Sequence, residues 1–208
     1  MAVTLVYWDL VARATPAYFT AALANVEIHW DSATANTWPA DKPNAPFGQL
    51  PYIKDGDVTI AQSGALIRYL SRKGGIQGDS LATYGLAESL VEETADLFNA
   101  IAKAKYDDNP LKAFTTFFEE TLPVHLNYLI KLLSGPFFGG QVALYGDAAL
   151  YGLFYILSRL NEEKFKAALA AVPALQQWYT AFGKIDVIEK AVTVLSQKGA
   201  YFTWPEEK

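Results

Sequence analysis

The chain has 208 residues, enough for one large domain or two small ones, and its 51% hydrophobic and 19% charged content is that of an ordinary globular protein. A net charge of −5 argues against nucleic acid as the main partner, because phosphate binding needs a basic surface. The absence of cysteine excludes disulfides, thiolate metal sites and a cysteine nucleophile. The opening MAVTLVYWD reads directly as a strand over Val3–Trp8 and lacks the long apolar core of a signal peptide. No apolar run approaches a membrane span, and the longest, near 150–157, is far too short. A cytoplasmic protein with no membrane span is therefore expected.

Residues 9–14 read as a loop. Thr15-Pro16 then looks like an N-cap followed by proline at the first helical position, where its missing N–H costs nothing. The helix after it places Phe19, Leu23 and Val26 on one side, and 26–30 reads as a second strand. The stretch 31–46 is irregular and proline-rich, with Trp38 and Lys42 embedded in it. A hairpin follows: Tyr52, Ile53 and Lys54, a tight Asp55-Gly56-Asp57 turn, then 58–60, with glycine tolerating the positive φ such turns need. Ser63 is expected to cap the next helix, Leu66, Ile67 and Leu70 to form its apolar face, and Gly74-Gly75 to stop it. A helix start carrying the polar pair Gln62-Ser63 is electropositive and rich in unpaired N–H groups, so it suits a carboxylate.

After a linker at 76–81 the chain reads as wholly helical. A long helix carries Leu86, Leu90 and Leu97 together with Glu88, Glu92, Glu93 and Asp96, and Asp108-Asn109-Pro110 ends it. The next helix runs from Phe114 to Leu133, with a kink expected at Pro123. Residues 148–160 are apolar almost all round and read as the central buried helix, with further helices at 165–169, 175–182 and 187–195. His29 and His125 lack carboxylates at ligand spacing, so no metal site is expected.

Taken together, a βαβ-ββα half with Leu50-Pro51 before its third strand and an all-helical half resemble a cytosolic glutathione transferase. The stretch FGQLPYIKDGDVTIAQSGALIRYL is similar to that family's glutathione-binding core, above all in its sigma-like, tyrosine-using members. Tyr7 with Arg13 six residues on, Trp38, Lys42 and ETLPVHLNYLIKLL add to the likeness, which spans essentially the whole chain.

The resemblance implies an α/β thioredoxin-like domain over 1–75, a linker at 76–81 and an all-α helical domain over 82–208. It implies a cis proline at Pro51 and a backbone contact from Leu50 to the cysteinyl part of glutathione. Gln62 and Ser63 would hold the γ-glutamyl end, Trp38 and Lys42 the glycyl end, where a cation suits a carboxylate, and Gln49 would add a contact. The family is dimeric, and Asp96 matches an acid that reaches the γ-glutamyl amine from the partner subunit. Tyr7 would stabilise the glutathione thiolate as a hydrogen-bond donor, with Arg13 tuning the field around it. The electrophile is expected between the domains, near Trp8, Lys103, Tyr106 and Trp204. Glutathione enters as co-substrate, with no permanently bound cofactor.

Two departures stand out. The family's usual Ser or Thr before the central helix is replaced by Leu144, although Asp147 is present, which should cost about 1 kcal/mol of capping. The first helix also lacks the usual charged pair, having Thr15 and Tyr18 instead, which bears on the contacts of Arg13. Phe47 is a candidate for a subunit interface. Against the enzyme stand a ligand carrier with the same fold and a structural dimerisation module; prostaglandin-type isomerase or peroxidase activity could accompany transfer.

Overall fold

The computed structural model describes residues 2–205. The first half is built on a four-stranded sheet of order β3-β1-β4-β5. Strand β1 (Val3–Trp8) pairs in parallel with β3 (Ile28–Ala33) and antiparallel with β4 (Tyr52–Asp55), which turns back into β5 (Val58–Ala61). Parallel neighbours need a crossover, and helix α1 (Thr15–Leu23) supplies it. The two faces of β1 feed different clusters, because side chains alternate along a strand. Val3, Leu5 and Tyr7 enter the main core with α1 and with α3 (Ser63–Lys73), whereas Val6 joins Tyr52 and Ala45 in a small cluster partly covered by Trp38 and Leu50.

Several local expectations shift. The second strand begins at Ile28 rather than Val26 and runs on to Ala33. Thr15 does not cap α1: Ala14 holds the cap position, and the Thr15 hydroxyl is buried without a partner. The 9–14 loop contains a short strand, β2 (Leu10–Val11). The irregular stretch holds a helical turn, α2 (Trp38–Asp41), and a 3₁₀ turn (Lys42–Asn44). Ser63 lies one step inside α3 rather than at its cap. Gln62 is the cap residue, at φ 76°, and its carbonyl accepts the Leu66 N–H at 3.0 Å, with no side chain capping the helix. At the other end, Gly75 at φ 70° closes the helix as anticipated. Its N–H bonds to the Arg72 carbonyl and that of Ile76 to Ser71, which satisfies the last free carbonyls.

The helical half begins with α4 (Leu81–Lys105), capped by Ser80 and Thr83 reciprocally. Helix α5 (Pro110–Thr116) starts at the Asn109 cap, but the kink foreseen at Pro123 is replaced by a wide turn. Proline has no N–H for an ordinary helical bond, and the ladder widens to a π-helical segment (Phe117–Thr121) before α6 (Leu122–Leu129) resumes. That helix stops at Leu129, short of Leu133. The central helix α7 (Tyr145–Leu160) starts three residues before the expected 148 and is buried along nearly its whole length. Its neighbours approach closely because two of its positions lack a side chain. A Cβ on Gly152 would stand 2.6 Å from the Pro16 Cα of α1, and one on Gly146 would stand 2.7 Å from the Ala87 carbonyl oxygen of α4. Helices α8 (Glu162–Ala170), α9 (Pro173–Gly183) and α10 (Asp186–Ser196) complete the layer. A last strand, β6 (Gly199–Ala200), pairs in parallel with β2.

The replaced cap at Leu144 is compensated from the other side. Asp147 is fully buried and accepts hydrogen bonds from the backbone N–H of Leu144 at 2.8 Å, that of Phe138 at 3.0 Å and the Trp178 indole at 2.8 Å. Leu144 itself is 4% exposed and packs in the core. Among the described residues no helix is long and apolar enough to cross a membrane.

Candidate active-site cleft

A cleft of about 550 Å³ opens where the end of β1, the turn before β4 and the start of α3 meet. Its walls are Leu50 and Pro51, joined by a cis peptide, together with Gln49, Gln62 and Ser63; Trp8, Arg13 and Trp38 close the rim. The hairpin β4–β5 explains this convergence. Tyr52 pairs with Ala61, so residues 49–51 and 62–63, which flank the hairpin, return to the same edge of the sheet. Trp8 and Trp38 meet edge to face with centroids 6.1 Å apart, which fixes the otherwise loose loop over the sheet. Phe47, 64% exposed, also lines the cleft. Lys42 lies at its margin, with its stem against Gly48.

Tyr7 lies deeper than a wall residue. It is 5% exposed, with Trp8 and Arg13 as its links to the cleft. Its hydroxyl oxygen accepts the Arg13 backbone N–H at 3.1 Å, so the phenolic proton remains free to be donated elsewhere. Burial pushes the Tyr7 pKa up to about 12, against the opposing pull of that N–H and of the Arg13 guanidinium. The phenol is thus neutral at ordinary pH, a donor and not a base. The Arg13 side chain turns toward α4, where it sits 4.4 Å over the Phe98 ring and donates to Asn99 at 3.3 Å.

The remaining candidates are dispersed. Asp96 is exposed on α4, away from the residues that line the cleft. Lys103 opens onto a separate cavity of about 480 Å³ between α4 and α5, with Lys112 and Phe117. Tyr106 is 73% exposed and touches the Tyr201 hydroxyl with its own. Trp204 packs against Phe114 and Phe118 at 5.9 and 5.8 Å. The four residues grouped for the electrophile, Trp8, Lys103, Tyr106 and Trp204, therefore do not line one pocket. Lys103 lies in the last turn of α4 and faces α5, whereas Tyr106 is the cap residue beyond the helix end and turns to Tyr201. Residues 206–208, which follow the Trp204 segment, lie outside the described residues.

Sequence reasoning missed three contributors: Asn99 as the Arg13 acceptor, Tyr201, and the β2–β6 pairing that borders the Arg13 loop. Each is a contact between residues at least 86 positions apart, or depends on one, and no local pattern announces it. Among the described residues no cluster of three or more His, Cys, Asp or Glu is placed to hold a metal ion.

A thioredoxin-like sheet bearing a cis-proline cleft, followed by a helical layer, is the glutathione transferase fold. The Pi-class glutathione S-transferase of Onchocerca volvulus superposes with a TM-score of 0.86 at 22% identity, over 99% of this chain and 98% of that one. In sequence, the chain is 31% identical over 169 residues to a glutathione S-transferase of Tyrophagus putrescentiae, covering 76% of this chain and 77% of the relative. It is 29% identical over 190 residues to the hematopoietic prostaglandin D synthase of Gallus gallus, covering 84% and 93%. The family model described as "Glutathione S-transferase, C-terminal domain" matches residues 95–192. The chain belongs to the glutathione S-transferase family.

Proposed function

We propose that the protein conjugates reduced glutathione to small hydrophobic electrophiles, with Tyr7 holding the glutathione sulfur as a thiolate. The observation that carries this reading is the state of Tyr7: a neutral phenol beside the cleft, its oxygen already accepting the Arg13 N–H and its proton unspent. The thiol itself is a weak nucleophile. Lowering its pKa by roughly two units takes about 2.7 kcal/mol of preferential stabilisation, within reach of one or two hydrogen bonds to a charged sulfur. The thiolate then attacks the electrophilic carbon of an aryl halide, a C–S bond forms, halide leaves with its electron pair, and the thiol proton has passed to solvent.

The tripeptide follows the cleft. Gln62 and Ser63 hold the γ-glutamyl end at the uncapped start of α3, and the Leu50 backbone pairs with the cysteinyl unit. Gln49 adds a contact, and Trp38 and Lys42 take the glycyl end. The binding unit is residues 1–75, joined through 76–81 to the helical unit 82–208. The protein acts as a cytoplasmic homodimer in which Asp96 of the partner subunit reaches the γ-glutamyl amine. Trp8, on the cleft rim, contacts the electrophile. Likeness to a prostaglandin D synthase favours a second reading, isomerisation of a prostaglandin-type endoperoxide by the same thiolate.

The test is retention on immobilised glutathione together with turnover of a chloro-nitroarene and of a prostaglandin endoperoxide. Retention with conjugation supports transfer. Isomerisation without conjugation supports the second reading. Retention without either would leave a carrier, and loss of all would leave a structural module.

A further inference from the structure

The short pairing of β2 with β6 lies outside the sheet that carries the cleft. Leu10 pairs with Gly199 and Val11 with Ala200, so the end of the chain runs along the loop that leads from β1 to Arg13. The Gly199 N–H donates to the Asp9 carbonyl at 3.1 Å, and the Tyr201 N–H to that of Val11 at 3.4 Å. Lys198, immediately before this pairing, adds a side-chain tie. Its ammonium donates to Asp9 Oδ1 at 2.6 Å and sits 4.1 Å over the Trp30 ring, which itself meets Tyr7 edge to face at 6.2 Å.

Lysine rarely gives up its hydration, yet the Lys198 side chain is only 11% exposed. Its backbone is held as well. Arg159 of α7 donates to the carbonyls of Leu195 and Lys198 at 3.5 and 3.2 Å, which fastens the ammonium's anchor to the central helix. The loop that carries Arg13 is thereby clamped between the helical layer and the end of β1, and Arg13 stands two positions before α1.

We propose that Lys198 is a positioning residue for the Tyr7 hydroxyl. By holding Asp9 and the β2 backbone, it fixes the Arg13 N–H on the Tyr7 oxygen and so leaves the phenolic proton aimed at the glutathione sulfur. The proposal rests on the thiolate-stabilising reading of Tyr7. An N–H accepted by a phenol oxygen occupies one of its lone pairs, which directs the O–H away from that donor and polarises it, so the outgoing hydrogen bond strengthens. A loosened loop weakens both effects without touching glutathione.

Lys198→Met keeps the stem and removes the charge; Asp9→Asn keeps the shape of an exposed residue and leaves the Lys198–Trp30 contact in place. The readouts are the ultraviolet titration of the bound glutathione thiol, the KM for glutathione and the pH profile of kcat/KM with a chloro-nitroarene. Each single variant is expected to raise the bound-thiol pKa by about half a unit, roughly threefold less thiolate at neutral pH. The double variant should add nothing further, KM for glutathione should hold, and the rate deficit should vanish at high pH. A thiol titration unmoved in both single variants, or shifts that add in the double variant, overturns the proposal. If Lys198→Met fails to fold, Asp9→Asn alone decides. Tyr7→Phe separates the two claims. If it leaves the thiol titration unchanged, the Tyr7 reading fails and this one with it; if it raises the thiol pKa while Lys198→Met and Asp9→Asn do not, only the Lys198 proposal fails.

Discussion

The backbone N–H of Arg13 reaches the Tyr7 hydroxyl oxygen across 3.1 Å, closing a six-residue loop onto the end of the first strand. Tyr7 thereby spends its acceptor capacity within the protein and keeps its proton for a ligand. Removing that proton with Tyr7→Phe leaves shape and burial almost unchanged. The bound-thiol pKa should rise by roughly two units, and conjugation near neutral pH should fall by about a hundredfold, the equivalent of about 2.7 kcal/mol. A stopped-flow or spectrophotometric titration of bound glutathione checks it, and an unchanged thiol pKa would remove Tyr7 from the mechanism.

Ser63→Ala separates binding from activation. Ser63 lies one position inside α3 rather than at its cap, so the substitution leaves the helix start intact. Loss of a hydroxyl contact to a charged ligand group is expected to weaken glutathione binding by roughly tenfold, about 1.4 kcal/mol. The bound-thiol pKa should stay where it is in the unsubstituted protein. Calorimetric titration with glutathione gives the first quantity and the thiol spectrum the second.

Burial raises several tyrosines together. Tyr7 and Tyr201 are pushed up to about 12, and Tyr18, Tyr151 and Tyr179 also move upward from the ordinary 10.0. A raised folded-state pKa means that the native protein keeps protons the unfolded chain releases. This contribution is therefore fully present below pH 10 and lost as pH rises toward 12. Urea midpoints should fall between pH 9.5 and 11, by about 1 M or more. Phenolate absorbance should show fewer tyrosines ionised in the native than in the denatured protein at the same pH.

Leu144 and Asp147 give opposite signs. Leu144→Ser would restore a side-chain cap worth about 1 kcal/mol, but it removes a buried leucine worth about 1.5–3 kcal/mol, so net destabilisation of about 1 kcal/mol is expected. Asp147→Ala leaves the Leu144, Phe138 and Trp178 donors unpaired in the core and should cost about 3 kcal/mol or more. Burial raises the Asp147 pKa to about 6, from 3.8, despite those donors. The native state therefore holds this proton more tightly than the unfolded chain, and stability relative to Asp147→Asn should increase as pH falls from 6 toward 3.8. Denaturant unfolding across that interval measures both effects.

Much of this architecture was legible because it is local. The Asp55-Gly56-Asp57 turn, the apolar face of Leu66, Ile67 and Leu70, and the Gly74-Gly75 stop each depend on neighbours within a few residues. Misplaced boundaries had equally local causes. Gln62 takes the cap position because its backbone adopts φ 76°, a conformation that sequence patterns assign to glycine before glutamine. Pro123 is accommodated by a π-helical turn because its nitrogen carries no N–H to continue the regular ladder.

By itself, the sequence determined the order of the main strands and helices, and its resemblance to the glutathione transferases marked the cleft stretch from Gln49 to Ser63 and the spacing of Tyr7 and Arg13 across six positions. The strands, helices and hairpin are short-range relations, written in turn chemistry and in side-chain periodicity. The tertiary structure alone decided that Tyr7 is buried, that Arg13 turns its charge to Phe98 and Asn99, and that Lys103, Tyr106 and Trp204 part company. It alone brought Lys198 to Asp9, 189 positions away. Burial and contact across such separations depend on how helices and sheet pack, and packing is a property of all the elements at once.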